Sequence, residues 1–137
     1  MKLFVDTSAW AAVFDNQDVF QREASAALAT LKTQNNLIYT SSDVIGETIT
    51  FLISHRRHAV AEKFGRAVQR SPNVRIVHVD QEVWQEAWAL FQRYDDKGFS
   101  FADCTSFSIM RREKLIDAFT FDHHFEQMGF RLWPGEK

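Results

Sequence analysis

The chain has 137 residues, 45% of them hydrophobic and 25% charged, with 13 Phe and 4 Trp against 5 Gly and 2 Pro. Such a composition excludes a disordered, collagen-like or low-complexity polymer, and the length suits a single domain over residues 1–137, roughly 14 Å in radius of gyration. The net charge of −2 excludes a uniformly basic nucleic-acid binder, and the single Cys104 excludes an internal disulfide or a cysteine-based zinc site.

No apolar run reaches the roughly 18 residues a membrane span needs, so no membrane association and a cytoplasmic location are expected. In chain order, five short apolar runs read as strands: Leu3–Val5, Leu37–Tyr39, Val74–Val79, Ala118–Phe121 and Phe130–Leu132. Most are apolar rather than alternating, as in strands buried on both faces. Helical stripes lie between them. Phe20, Ala24, Ala27, Leu28 and Leu31 form one. Val44, Ile45, Thr48, Ile49 and Leu52 form a second, with Ser42 as its cap, and Val60, Phe64, Ala67 and Val68 a third. Asp80 caps a fourth helix whose inner face is predicted as Val83, Trp84, Ala87, Trp88 and Phe91. A further helix is expected over about Phe101–Lys114, and a short one near His124–Met128 that stops at Gly129. Strands alternating with helices predict an α/β fold with a mostly parallel sheet covered on both faces.

In a βα unit, residues just after a strand, or in the first turns of the following helix, gather at the carboxyl edge of the sheet. Asp6 follows the first predicted strand, and Asp122 follows the fourth. Glu47 lies about one turn into the helix after Leu37–Tyr39, and Asp103 lies in the first turn of the helix leading to Ala118–Phe121. Singly, each acid has a plain role near a helix N-terminus. Together, four carboxylates repel one another, and no neighbouring Lys or Arg in sequence offsets them. A divalent cation does, and an oxygen-only donor set favours Mg²⁺ or Mn²⁺. Hydroxyls accompany them at Thr7, Ser8, Thr105 and Ser106, suited to holding water or a phosphate oxygen, with helix capping the preferred role of Ser8 and Ser106. Of the five histidines, His123 and His124 follow Asp122, and one of them is placed to approach the metal or the substrate.

The charge is unevenly spread. From Ile53 to Arg75 six cations (Arg56, Arg57, Lys63, Arg66, Arg70, Arg75) face one acid, Glu62, which leaves the remainder strongly acidic. Such a strip is either a solvated helix face or a track for a phosphate polymer.

The blocks Phe4-Val5-Asp6-Thr7-Ser8-Ala9-Trp10, Thr40-Ser41-Ser42 with Glu47-Thr48, Phe101-Ala102-Asp103-Cys104-Thr105-Ser106, and Phe119-Thr120-Phe121-Asp122 followed by Phe125 and Gly129-Phe130 resemble PIN-domain nucleases, closest to VapC-type toxins of toxin–antitoxin pairs. The resemblance runs through nearly the whole chain in register. It implies a three-layer α/β/α domain with a five-stranded sheet in the order 3-2-1-4-5. It further implies a Mg²⁺- or Mn²⁺-dependent endoribonuclease, often a homodimer, held inactive by a cognate antitoxin. Asp6, Glu47, Asp103 and Asp122 fall on the family's acidic quartet, and Thr105 on a position where a hydroxyl is common. Many members carry another acid where this chain has His124, which leaves the number of metals open.

The mechanism expected is hydrolysis of an RNA phosphodiester by metal-activated water, leaving a 3′-hydroxyl and a 5′-phosphate, with the RNA tracking along Arg56, Arg57, Lys63 and Arg66. A free-standing nuclease of RNA processing is an alternative. Two readings of another class stand beside it: an aspartyl-phosphate phosphotransfer domain, and a non-catalytic module whose acidic pocket docks a basic partner. The phosphatase form of the first expects an acid at Ser8, and its receiver form a late lysine, for which only Lys137 follows the last strand.

Overall fold

Alternating strand and helix patterns fold into a single parallel sheet with helices packed around it. A computed structural model describes residues 1–33, 35–55 and 57–135. Its elements run β1 (Lys2–Val5), α1 (Thr7–Phe14), α2 (Gln21–Thr33), β2 (Leu37–Ser41), α3 (Ser42–His55), α4 (His58–Arg70), β3 (Val74–Val77), α5 (Gln81–Arg93), α6 (Phe101–Arg112), β4 (Asp117–Phe119), α7 (His124–Gln127) and β5 (Arg131–Trp133). The sheet order is β3-β2-β1-β4-β5 with every pairing parallel, as the resemblance implied.

The chain winds from β1 outward to β3, then returns past β1 to lay down β4 and β5. Right-handed crossovers running in opposite directions put α1–α4 on one face and α5–α7 on the other. β1 lies at the reversal, where a crevice opens beyond the strand ends. Leu3, Phe4 and Val5 of β1 and all three residues of β4 are buried, whereas the edge strands β3 and β5 are only partly covered. Phe4, Phe107, Phe119 and Phe125 fill the centre of the core. Burying each such ring contributes about 1.5–3 kcal/mol.

Several local expectations need correction. Asp122 does not directly follow a strand: β4 ends at Phe119, so Thr120 and Phe121 carry the chain outward to it. Helix α1 has no counterpart in the sequence reading, because Ala9, Trp10, Ala11 and Ala12 are all buried and leave no amphipathic period. Ser41, not Ser42, caps α3, its Oγ accepting from the Val44 amide at 3.0 Å, while Ser42 Oγ accepts from Val79. On α4 Phe64 and Val68 are buried as predicted, but Ala61 and Gly65 complete the stripe, with Val60 and Ala67 only half-buried. On α5 only Val83 and Ala87 are buried. Trp84, Trp88 and Phe91 stay 41–44% exposed, stacked in a ladder that Phe101 meets tilted at Trp84 and edge-on at Phe91. Val83 and Ala87 take the buried stripe, so the indoles fall on the adjoining, more exposed one. The Asp80 cap and the Gly129 stop (φ +89°) are as predicted.

Candidate active site

Asp6 ends the central strand and is the N-cap of α1 by backbone conformation. Its carbonyl accepts from the Ala9 and Trp10 amides, but its carboxylate makes no capping bond. The carboxylate is therefore available for another role, and it is 4% exposed. Thr120 donates to its Oδ2 at 3.0 Å and Ser8 at 3.3 Å, and the two hydroxyls lie 3.0 Å apart. The same hydroxyls accept the amides of Asp122 and Phe121, which pins the loop after β4 to the end of β1. Ser8 and Thr120 thus form a polar hinge beneath the acids. Ser8 is not a helix cap, and Thr120 was invisible to the sequence reading because it sat inside a predicted strand.

Asp103 is placed by a reciprocal capping box. Its amide donates to Ser100 Oγ and its Oδ2 accepts the Ser100 amide, both at 3.0 Å. The Ser100-x-x-Asp103 spacing could have revealed this. Asp122 accepts the His124 amide at 2.9 Å through Oδ1. The His124 imidazole then lies with Nδ1 3.0 Å from Asp103 Oδ2 and 3.2 Å from Asp122 Oδ2. His123 points away, exposed and beside Glu126.

The four predicted acids line one open cavity of about 540 Å³ together with Thr7, Ser8, Asp18 and His124, and among the described residues no Lys or Arg lines it. Its rim is aromatic: Phe20 and Phe121 stack with centroids 4.4 Å apart on one side, and Phe51 lies on α3. Burial, and then the charges of Asp103 and Glu47, lift the Asp6 carboxyl from 3.8 to about 7. Burial also raises Glu47, helped by Asp103, Asp43 and Asp122 and opposed by the adjacent Thr7 side chain. No hydrogen bond of ordinary geometry closes there: Thr7 Oγ1 is buried without a partner.

The donor set fits a divalent cation. Asp103, Asp122 and His124 bring ligand atoms within 4.8 Å of one another, Asp6, Glu47 and the orphaned Thr7 hydroxyl line the same cavity, and no described basic side chain lines it to balance them.

Other predicted residues lie elsewhere. Thr105 is fully buried, and its hydroxyl donates to the Ala102 carbonyl at 2.7 Å, so it is spent inside α6. Ser106 bonds the same carbonyl rather than capping. Cys104 is buried, its thiol pushed up to about 11 by burial and the Asp103 charge, which suits a core residue rather than a nucleophile. Arg57, Lys63 and Arg66 are exposed on and just before α4, and Arg66 pairs with Glu62. Arg57 and Lys63 line a second cavity with His55, next to the acidic one: His55 stacks on Phe51 at 4.2 Å, and Phe51 belongs to the acidic rim. Arg56 and Lys137 lie outside the described residues. Among the described residues no helix is long and apolar enough to cross a membrane.

Residues 3–131 match the PIN domain family. The chain is 35% identical over 128 residues to the 23S rRNA-specific endonuclease VapC20 of Mycobacterium tuberculosis, covering 93% of this chain and 95% of that protein. The crystal structure of that relative, described as a sarcin–ricin loop cleaving toxin, superposes with a TM-score of 0.86 at 34% identity, over 93% and 95% of the two chains. At the level of fold alone, VapBC2 from Rickettsia felis, solved bound to a promoter DNA fragment, aligns with a TM-score of 0.70 at 14% identity over 97% and 99%. A toxin–antitoxin complex from Klebsiella pneumoniae aligns at 0.62 and 17% over 90% and 88%.

Proposed function

The chain belongs to the PIN-domain family, and on that premise we propose that it is a Mg²⁺- or Mn²⁺-dependent endoribonuclease, the toxin of a toxin–antitoxin pair, acting on structured RNA and on ribosomal RNA first. The observation that carries this reading is the cavity that Asp6, Glu47, Asp103 and Asp122 line together, with no basic side chain among the described residues there. A bound cation there would activate water for attack on phosphorus and offset charge on the leaving oxygen.

The chain's own groups prepare that chemistry. Asp6, Asp103 and Asp122 are held from three elements at the crevice, and Glu47 reaches it from α3. Ser8 and Thr120 fix the Asp6 carboxylate through hydrogen bonds to its Oδ2. The unpaired Thr7 hydroxyl is suited to a metal-bound water or a phosphate oxygen. Thr105 acts through helix packing rather than at the reacting atoms.

RNA would run from the acidic cavity across the Phe51–His55 stack to Arg57, Lys63 and Arg66, and Arg56 falls in the same segment. Its affinity should fall with salt. The partner would be a cognate antitoxin, in keeping with the description of the 34%-identical structure as a toxin. A homodimer would cover the exposed Trp84, Trp88 and Phe91 ladder.

The test is cleavage of end-labelled ribosomal RNA fragments with Mn²⁺, with Mg²⁺ and with EDTA, beside Glu47→Gln. Metal-dependent cuts leaving 5′-phosphates, lost in EDTA and in the variant, support the reading. An inert protein that still binds a basic partner tightly favours a docking module.

A further inference from the structure

His124 sits among the acids in a way that their mutual repulsion alone does not explain. Its Nδ1 faces two carboxylate oxygens at once, Asp103 Oδ2 at 3.0 Å and Asp122 Oδ2 at 3.2 Å. The three donor atoms come from α6, from the loop after β4 and from the start of α7, and all lie within 4.8 Å of one another. Divalent ions of magnesium's size bind at about 2.1 Å, so neighbouring ligands at right angles stand about 3.0 Å apart. The observed separations are of that length.

The ring is also held in place before any ion arrives. The His124 amide donates to Asp122 Oδ1, which turns the other Asp122 oxygen toward Nδ1. Phe99 meets the imidazole edge to face at 5.1 Å, which limits its rotation. The side chain is only 27% exposed.

We infer that His124 is a direct ligand of the divalent cation through Nδ1, completing a set with Asp103 and Asp122, and that this nitrogen biases the site toward Mn²⁺ over Mg²⁺. The inference rests on the metal-dependent reading of the site. As a ligand the neutral ring would carry its hydrogen on Nε2 and offer the Nδ1 lone pair to the metal. Mg²⁺ strongly prefers oxygen and keeps its water, whereas first-row transition ions accept imidazole readily.

The experiment is electron spin-echo envelope modulation on the full-length protein loaded with Mn²⁺. Directly bound ¹⁴N is expected in the wild type. It should convert to the ¹⁵N pattern when histidine is isotopically labelled and vanish in His124→Gln. Calorimetric titration of the same samples should show roughly a 10- to 100-fold loss of Mn²⁺ affinity in His124→Gln and a change of less than about threefold for Mg²⁺. If Mn²⁺ binds the wild type without nitrogen coupling, or if the coupling survives in the variant, the ligand assignment falls while the metal reading stands. Equal losses for both ions overturn the Mn²⁺ bias. If the wild type takes up neither ion, both fall. The labelled wild type decides the ligand question even if the variant fails to fold.

Discussion

Two buried aspartates, at opposite ends of adjacent strands, have opposite surroundings. Asp117 opens β4, 7% exposed, and Arg131 from the register-paired position on β5 grips both of its oxygens at 2.5 and 3.0 Å. Asp6 closes β1, 4% exposed, and receives only hydroxyls, with Asp103 and Glu47 as its charged neighbours. One acid has its cation built into the next strand. The other is set among further acids, so its cation must come from solution. Burial alone therefore does not distinguish a structural carboxylate from a working one; the sign of its neighbours does.

Replacing the charge at the second acid should break this contrast most sharply. Asp6→Asn is expected to lose activity by roughly a thousandfold, read on labelled RNA with saturating Mn²⁺, while its Tm in EDTA at neutral pH equals or exceeds that of the wild type. A variant that unfolds would place Asp6 in the same structural class as Asp117. Thr120→Val comes next, because it removes the donor to Asp6 Oδ2 and the acceptor for the Asp122 amide. Metal affinity by calorimetry and cleavage rate should both drop roughly 10- to 100-fold.

The pH dependence sharpens the comparison further. Folding lifts the Asp6 carboxyl to about 7, so the native state holds its proton more tightly than the unfolded chain. The stability it contributes is complete below about pH 4 and is lost as pH rises through about 7. In EDTA the wild type should thus lose several degrees of Tm relative to Asp6→Asn between pH 4 and 8, and Mn²⁺ should remove most of that loss. The smallest effect on activity belongs to Asp117→Asn, which weakens the grip on Arg131. Tm should fall, yet cleavage per folded molecule should stay within about twofold, since the pair lies at the far end of the strand from the crevice.

Much of this was legible before any coordinates. The acids were readable because strand-then-acid and helix-start positions map to one sheet edge whatever the packing details. The sheet order came through the resemblance, since periodicity alone left it open. What stayed hidden had physical causes. Trp84 and Trp88 carry the right period for a core face, but Val83 and Ala87 take the contact with α6, and amphipathicity cannot tell which of two adjoining stripes wins. Thr120 and Ser8 act through bonds spanning more than a hundred residues, which no local pattern encodes. His123 and His124 were both candidates by their place after Asp122, and only the turn at Asp122 decides that His124 is the one aimed inward. Thr105 matched by position, yet its hydroxyl is turned back into its own helix.

The central strand has one further consequence. β1 precedes one of its two partners, β4, and the pocket residues Asp122 and His124 by more than a hundred residues. While still threaded through the ribosome that makes it, the growing polypeptide has an unpaired edge at β1 and an incomplete pocket. A chain still lacking Asp122 and His124 holds only part of the acidic cluster, so under the proposed function it gains activity only after β4 and the turn beyond it have been made.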